Sequence, residues 1–253
     1  MTVTRFPGGI TTNLPSDPMG ALGIPDPTKW SVYFEDFTGP LFNANSIANT
    51  TVTHNGLSVI ASANATINVV TDAGALDGAL KIVTTAADNE SGLIQTLSPG
   101  FVMTSGKKFF METKFEITHT AGTISENELF IGLASYQTGA NFFATNGSAR
   151  TFDDGIGWYS PDADTDIDMI VGENDVYDNT TVISTYATAT WYTCTLYYDG
   201  TDIKTWVNGV ATGTITPDQI PISVVGPTIY FKSGEAKVHQ LLVDYLMVAK
   251  ERT

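Results

Sequence analysis

The chain has 253 residues, 12 basic and 27 acidic, for a formal charge of −15. Such a chain lacks the basic footprint that a phosphate backbone or an anionic membrane surface requires, so neither is expected as a partner. Its 42% hydrophobic residues can fill a substantial core, but no apolar run reaches the roughly 18 residues needed to span a bilayer.

Residues 1–28 differ from the rest. The stretch "TRFPGGITTNLPSDPMGALGIPDPTK" carries five prolines, and its apolar residues stand singly. Such a segment builds neither a regular helix nor a core of its own. Its apolar content exceeds that of a solvated tail, so it reads as an extended arm with Phe6, Ile10, Leu14 and Leu22 as anchors on a neighbouring surface. The opening "MTVTRFPGGITTN" has no basic-then-apolar leader pattern, so export by a cleaved signal is not expected.

Residues 29–253 read as a single all-β domain. "KWSVYFEDF" is a strand by composition, and the following fifty residues are short strands broken by Asn-Gly, Ala-Gly and Asp-Gly. "KKFFMETKFEITHT" alternates: Phe109, Met111, Thr113, Phe115 and Ile117 share one face, and Phe110, Glu112, Lys114 and Glu116 the other. "ENELFIGLAS" and "DDGIGWYSP" are further strands. In "WYTCTLYYDGTDIKTWVNGV" two turns, Asp199-Gly200 and Asn208-Gly209, separate three strands, because these pairs tolerate the positive φ of a tight hairpin. "HQLLVDYLMVAKER" suits a helix or a strand; its β-branched residues and chain-closing place favour a strand. Turn signals every 8 to 12 residues or so predict an antiparallel β-sandwich.

Four groups of residues bear on chemistry. Cys194 is the single cysteine; midway along a strand it reads as a small hydrophobe rather than a nucleophile. Asp162, Asp164, Asp166 and Asp168 alternate, and Glu173 follows at position twelve, as in a calcium loop. The glycine such a loop needs at position six is Ile167, so the charges read as a solvated strand edge, with Asp162, Asp164 and Asp166 as the calcium candidates and no cofactor expected. Glu126 and Glu128, and Glu112 and Glu116, are same-face acid pairs without an intervening aspartate to set their pKa values apart, so no catalytic residue is assigned. Phe142, Phe143, Phe152, Trp158 and Tyr159 crowd one stretch. Core packing explains them; the alternative is sugar stacking by Phe152, Trp158 and Tyr159.

Together "FFMETKFEI", "LFIGLAS", "DGIGWY", the double hairpin and "LLVDYLMVAKER" resemble the concanavalin A-like lectin/glucanase superfamily, in its laminin-G-like branch. The resemblance covers residues 30 to 250 and implies a jelly-roll sandwich. The Glu-x-Asp-x-Glu strand of that family's glycanases has no match here, and its lectins' metal ligands do not map onto this sequence. The opening "TVTRFPGGITTN", then "GIPDPTKWSVYFEDF", and the closing "VDYLMVAKER" resemble virion structural proteins of tailed bacteriophages. That implies a non-enzymatic capsid decoration, or cement, protein, assembled in the host cytoplasm and displayed on the outer capsid surface. Its implied partners are the major capsid protein and copies of itself, as a homotrimer. A tail or fibre component binding host-surface glycans is the alternative.

Overall fold

The computed structural model describes residues 28–37, 51–54, 56–62, 64–70, 78–120, 123, 125–139, 142–143 and 151–252. The arm anchors Phe6, Ile10, Leu14 and Leu22 lie outside them.

The described chain is an antiparallel β-sandwich, and no helix occurs among the described residues. The first sheet holds β1 (Trp30–Glu35), β4 (Thr66–Val70), β5 (Ala79–Val83), β7 (Phe109–Thr120), β12 (Trp191–Tyr198), β13 (Ile203–Val207), β14 (Val210–Ile215) and β16 (Val238–Glu251). The order is β14-β13-β12-β7-β16-β5-β4, with β1 also paired to β16. The second sheet holds β2 (Thr51–His54), β3 (Leu57–Ala61), β6 (Ser91–Thr96), β8 (Asn127–Ala134), β9 (Gly155–Ser160), β10 (Asp166–Glu173), β11 (Val176–Thr185) and β15 (Gly226–Ser233). Its order is β11-β10-β9-β8-β15-β6-β3-β2.

The core lies between the sheets. Phe109, Met111, Phe115 and Ile117 of β7 point into it, as their alternation predicts, and Tyr192, Cys194, Leu196 and Tyr198 of β12 join them. Burial pushes the Cys194 thiol far up, so it stays protonated and packs as a hydrophobe. Asn208 and Gly209 both take positive φ, 51° and 76°, closing the β13–β14 hairpin. At the other turn the Asp199 carboxylate accepts the N–H groups of Thr201 and Asp202 and pairs with Lys204 at 2.7 Å. The Lys204 hydrogen bond is the leading reason its carboxyl is held down to about 2.

The ambiguous tail is β16, a strand at the centre of the first sheet. It pairs with β7 on one side and with β5 and β1 in succession on the other. A register shift between Val243 and Tyr245 lets Leu241, Val243, Leu246 and Val248 all reach the core.

Candidate functional site

The outer face of the second sheet carries Phe142, Phe143, Phe152 and Tyr159 of the aromatic residues singled out in the sequence. Register places Tyr230, Phe130 and Tyr159 side by side on β15, β8 and β9. The next outward row on β8 and β9 is Gly132 opposite Gly157. Both must be glycine: a Cβ on Gly132 would lie 2.3 Å from the Ile156 carbonyl oxygen, and one on Gly157 would lie 2.5 Å from that of Ile131. Against this face rest Phe142, Phe143 and Phe152, from the connection between β8 and β9. Phe142 and Phe152 stack with centroids 4.3 Å apart, and Phe130 lies 5.0 and 5.1 Å from them. The Tyr177 hydroxyl donates to the Phe152 carbonyl.

This placement corrects the sugar-stacking alternative. Phe152 and Trp158 are 0% exposed and Tyr159 is 6% exposed, so none of the three offers a ring face to a ligand. Nor do they form one group. Phe152 and Tyr159 lie on the outer face, whereas Trp158 points between the sheets. Strand alternation sends neighbours 158 and 159 to opposite faces.

One end of the same sheet is polar. Lys232 of β15 stands opposite Glu128 of β8 and pairs with it at 2.9 Å, the side chains 4% and 0% exposed. Burial pushes the Glu128 carboxyl up despite Lys232, and Asp162 and Asp88 push it further. Glu126 is also raised, first by burial, then by Asp162 and Glu235. Asp162 packs against Gly234, where a Cβ would sit 1.9 Å from its Oδ1. Beneath, in the core, His239 contacts Asn127 Oδ1 through Nδ1 at 2.8 Å and Glu235 Oε1 through Nε2 at 3.2 Å. Burial lowers the His239 pKa, so the neutral ring is favoured. The Tyr186 hydroxyl receives bonds from Asn127 and Ser160 and donates to the Asp164 carbonyl at 2.9 Å. Sequence reasoning missed the Lys232 and His239 partnerships. Their one visible signal was a lysine inside the apolar strand "PTIYFKSG".

The calcium candidates divide. Asp166 and Asp168 belong to β10, while Asp162 and Asp164 precede it. Asp164 Oδ1 accepts the Asp166 N–H at 3.0 Å, and Asp166 Oδ1 accepts the Thr185 hydroxyl at 2.9 Å. Glu173 ends β10, about 23 Å from Asp166 at the strand rise, and so cannot complete a loop. Among the described residues no three acidic, histidine or cysteine side chains converge as metal ligands do. Millimolar calcium is expected to leave the melting temperature unchanged; an upward shift that Asp164→Ala removes would reveal a site through binding to the native state.

The acid pairs are also placed. Glu128 lies in β8 and Glu126 just ahead of it, each coupled to Asp162. On the outer face of the first sheet Glu112 accepts hydrogen bonds from Tyr245 and Thr195, both 2.8 Å, and burial raises its pKa.

Two packed antiparallel sheets with this strand order form an all-β sandwich of the jelly-roll type. The chain is similar in structure to a protein of unknown function from Shewanella oneidensis MR-1, with TM-score 0.57 and 15% identity over 88% of this chain and 87% of that one. It is similar to the Emp47p carbohydrate recognition domain, with TM-score 0.55 and 12% identity over 90% of this chain and 99% of that one. It is also similar to the endo-β-1,4-glucuronan lyase of the fungus Trichoderma reesei, with TM-score 0.50 and 13% identity over 87% and 95%. At these identities the likeness establishes the fold. No protein-family model matches the sequence, and no curated protein matches it.

Proposed function

We propose that this chain is a non-enzymatic structural protein of a phage particle, decorating the outer capsid surface and held there partly by residues 1–28. The observation that carries the reading is where the arm starts. The chain enters the first sheet at Trp30, opposite Glu251, and the Arg252 N–H bonds the Lys29 carbonyl at 2.6 Å. Residues 1–28 therefore precede a strand that is tied to the far end of the chain from its first position, which supports reading them as a tether.

The arm's full reach approaches ~90 Å at about 3.3 Å per residue, enough to cross onto a shell subunit. Ordering it costs roughly 1–2 kcal/mol per residue in backbone entropy, so its apolar anchors must be buried on binding. Deleting residues 2–26 is expected to leave a folded sandwich that no longer co-sediments with undecorated capsids. Wild-type occupancy by the truncated protein would place attachment in the sandwich.

The second reading, a tail or fibre component that binds host glycans, shares its fold with the Emp47p carbohydrate recognition domain but loses the three rings first suggested for it. Copy number in purified particles separates the two: hundreds for decoration, a few for a tail part. A third reading, hydrolysis, is weighed by the engaged acids: Glu128 pairs with Lys232, and Glu112 is held by Tyr245 and Thr195. No turnover is expected on β-glucans, agarose or galactans. Hydrolysis abolished by Glu126→Gln or Glu128→Gln would overturn the structural reading.

A further inference from the structure

A polar chain crosses the interior at one end of the sandwich. It starts at Glu235, in the turn between β15 and β16, and passes through His239 of β16, Asn127 of β8 and the Tyr186 hydroxyl beyond β11. It ends at the carbonyl of Asp164, in the β9–β10 connection. The four contacts measure 3.2, 2.8, 3.3 and 2.9 Å in that order. His239 and Asn127 are 0% exposed and Tyr186 is 3% exposed, so the hydrogens that fill these contacts come from within the chain.

Those hydrogens are one too few. An ionised carboxylate at one end and a carbonyl at the other can only accept, and each contact between them needs one hydrogen. A neutral imidazole has one, and so has the tyrosine hydroxyl. The asparagine amide donates at one of its two ends, whichever way it is turned. Three hydrogens therefore serve four contacts, and rotating the amide moves the gap along the chain without closing it. The Ser160 hydroxyl, 3.2 Å from that of Tyr186, adds one contact and one hydrogen and leaves the deficit as it was. A second proton on the imidazole supplies the fourth.

We infer that this chain binds one proton on acidification, held by His239 against Glu235, and that the proton fastens the β15–β16 turn to the second sheet. Glu235 Oε1 also accepts the Thr123 N–H at 2.5 Å, so the β7–β8 connection is drawn into the same contact. Burial, the largest influence on the ring, sets uptake below the ordinary histidine value. Glu235 from the turn favours uptake, His119 opposite on β7 opposes it, and Asp162 from the β9–β10 connection favours it. Tyr186 stays protonated, its phenol pushed up first by burial. From the β5 side comes the uncharged Thr84, whose hydroxyl accepts the His239 backbone N–H at 3.0 Å. Because the folded pKa lies below the unfolded one, the fold gives up stability as pH falls from the unfolded value to the folded one, and no more below it. The fastening is local to this end.

Nitrogen-15 spectra of histidine-labelled protein test this, with His239 assigned by correlation to the β16 backbone. The ring is expected to carry one proton at about pH 8 and a second below its midpoint. In uniformly labelled protein the Thr123 amide signal should move with that same midpoint. Glu235→Gln is the decisive variant. The Glu235 side chain is 24% exposed in a turn, so the fold tolerates the change. The glutamine amide donates to the ring while its oxygen still takes the Thr123 N–H. It supplies the missing hydrogen and removes the attracting charge, so the second proton should be held about tenfold more weakly. A residue that served only packing would leave the midpoint in place. The inference is overturned by a ring with two protons at about pH 8, or by one that keeps a single proton down to the pH at which the protein unfolds. A Thr123 signal indifferent to the ring, or an unmoved midpoint in Glu235→Gln, overturns it equally.

Discussion

Replacing Lys232 with methionine is expected to destabilise the fold by about 3–5 kcal/mol at neutral pH, because it leaves the Glu128 carboxylate buried without its cation. For a chain of this size that corresponds to a fall in melting temperature on the order of 10 °C. The double change Glu128→Met/Lys232→Met should recover most of the loss, since the cost lies in the uncompensated charge and two apolar side chains fill the same space. The pH dependence is the sharper check. Burial already raises the Glu128 pKa above its unfolded value, and removing Lys232 removes the influence that opposes this. A carboxyl with a raised folded pKa favours the fold when protonated. That contribution is complete below the unfolded pKa and is lost as pH rises through the folded pKa. The Lys232→Met deficit should therefore be largest near pH 8 and shrink towards about pH 5, above the usual glutamate value. A deficit that stays constant over that range would mean that lost packing, not charge, is responsible.

How far the sequence revealed this molecule depended on whether a feature is local. The alternation in β7 and β12 and the Asn208-Gly209 turn are decided within a few residues, and the structure follows them. β16 was ambiguous for a physical reason. Both of its faces are covered, by the main core on one side and by Phe110, Tyr197 and Trp30 on the other, so its sequence shows no clean alternation. The aspartates at 162–168 stayed ambiguous because a calcium loop and a strand edge share a spacing of two; Ile167, fully buried in β10, is the residue that argued for the edge. Glu128 meets Lys232 across 104 residues, a pairing fixed by the β8–β15 register that neither segment discloses alone. The aromatic stretch was visible as composition. Its packing onto the sheet depends on Gly155, where a Cβ would lie 2.6 Å from the Phe152 ring, and on Phe130 and Tyr230 from distant strands.

Trp158→Ala should cost about 3–5 kcal/mol, the range for deleting a buried large aromatic side chain. Trp158 stands between Ile131 of β8 and Met169 of β10 and is wholly enclosed in the inter-sheet core. Its removal leaves a void among strands that are tied by hydrogen bonds on both sides and cannot close in. Urea unfolding should show a lower midpoint with an unchanged slope, because the surface exposed on unfolding stays nearly the same. Trp158→Phe, which keeps most of the apolar volume, should lose much less. Phe152→Ala is expected to lose stability as well, through the stacked Phe142 ring and the cover over Phe130 and Tyr230. A sugar-binding role for these rings requires the opposite pattern. An aromatic platform open to a glycan gives up affinity on truncation and little stability, since surface substitutions stay within about 0.5 kcal/mol. A Trp158→Ala protein as stable as its parent would put that ring at the surface and return the lectin reading to the second sheet.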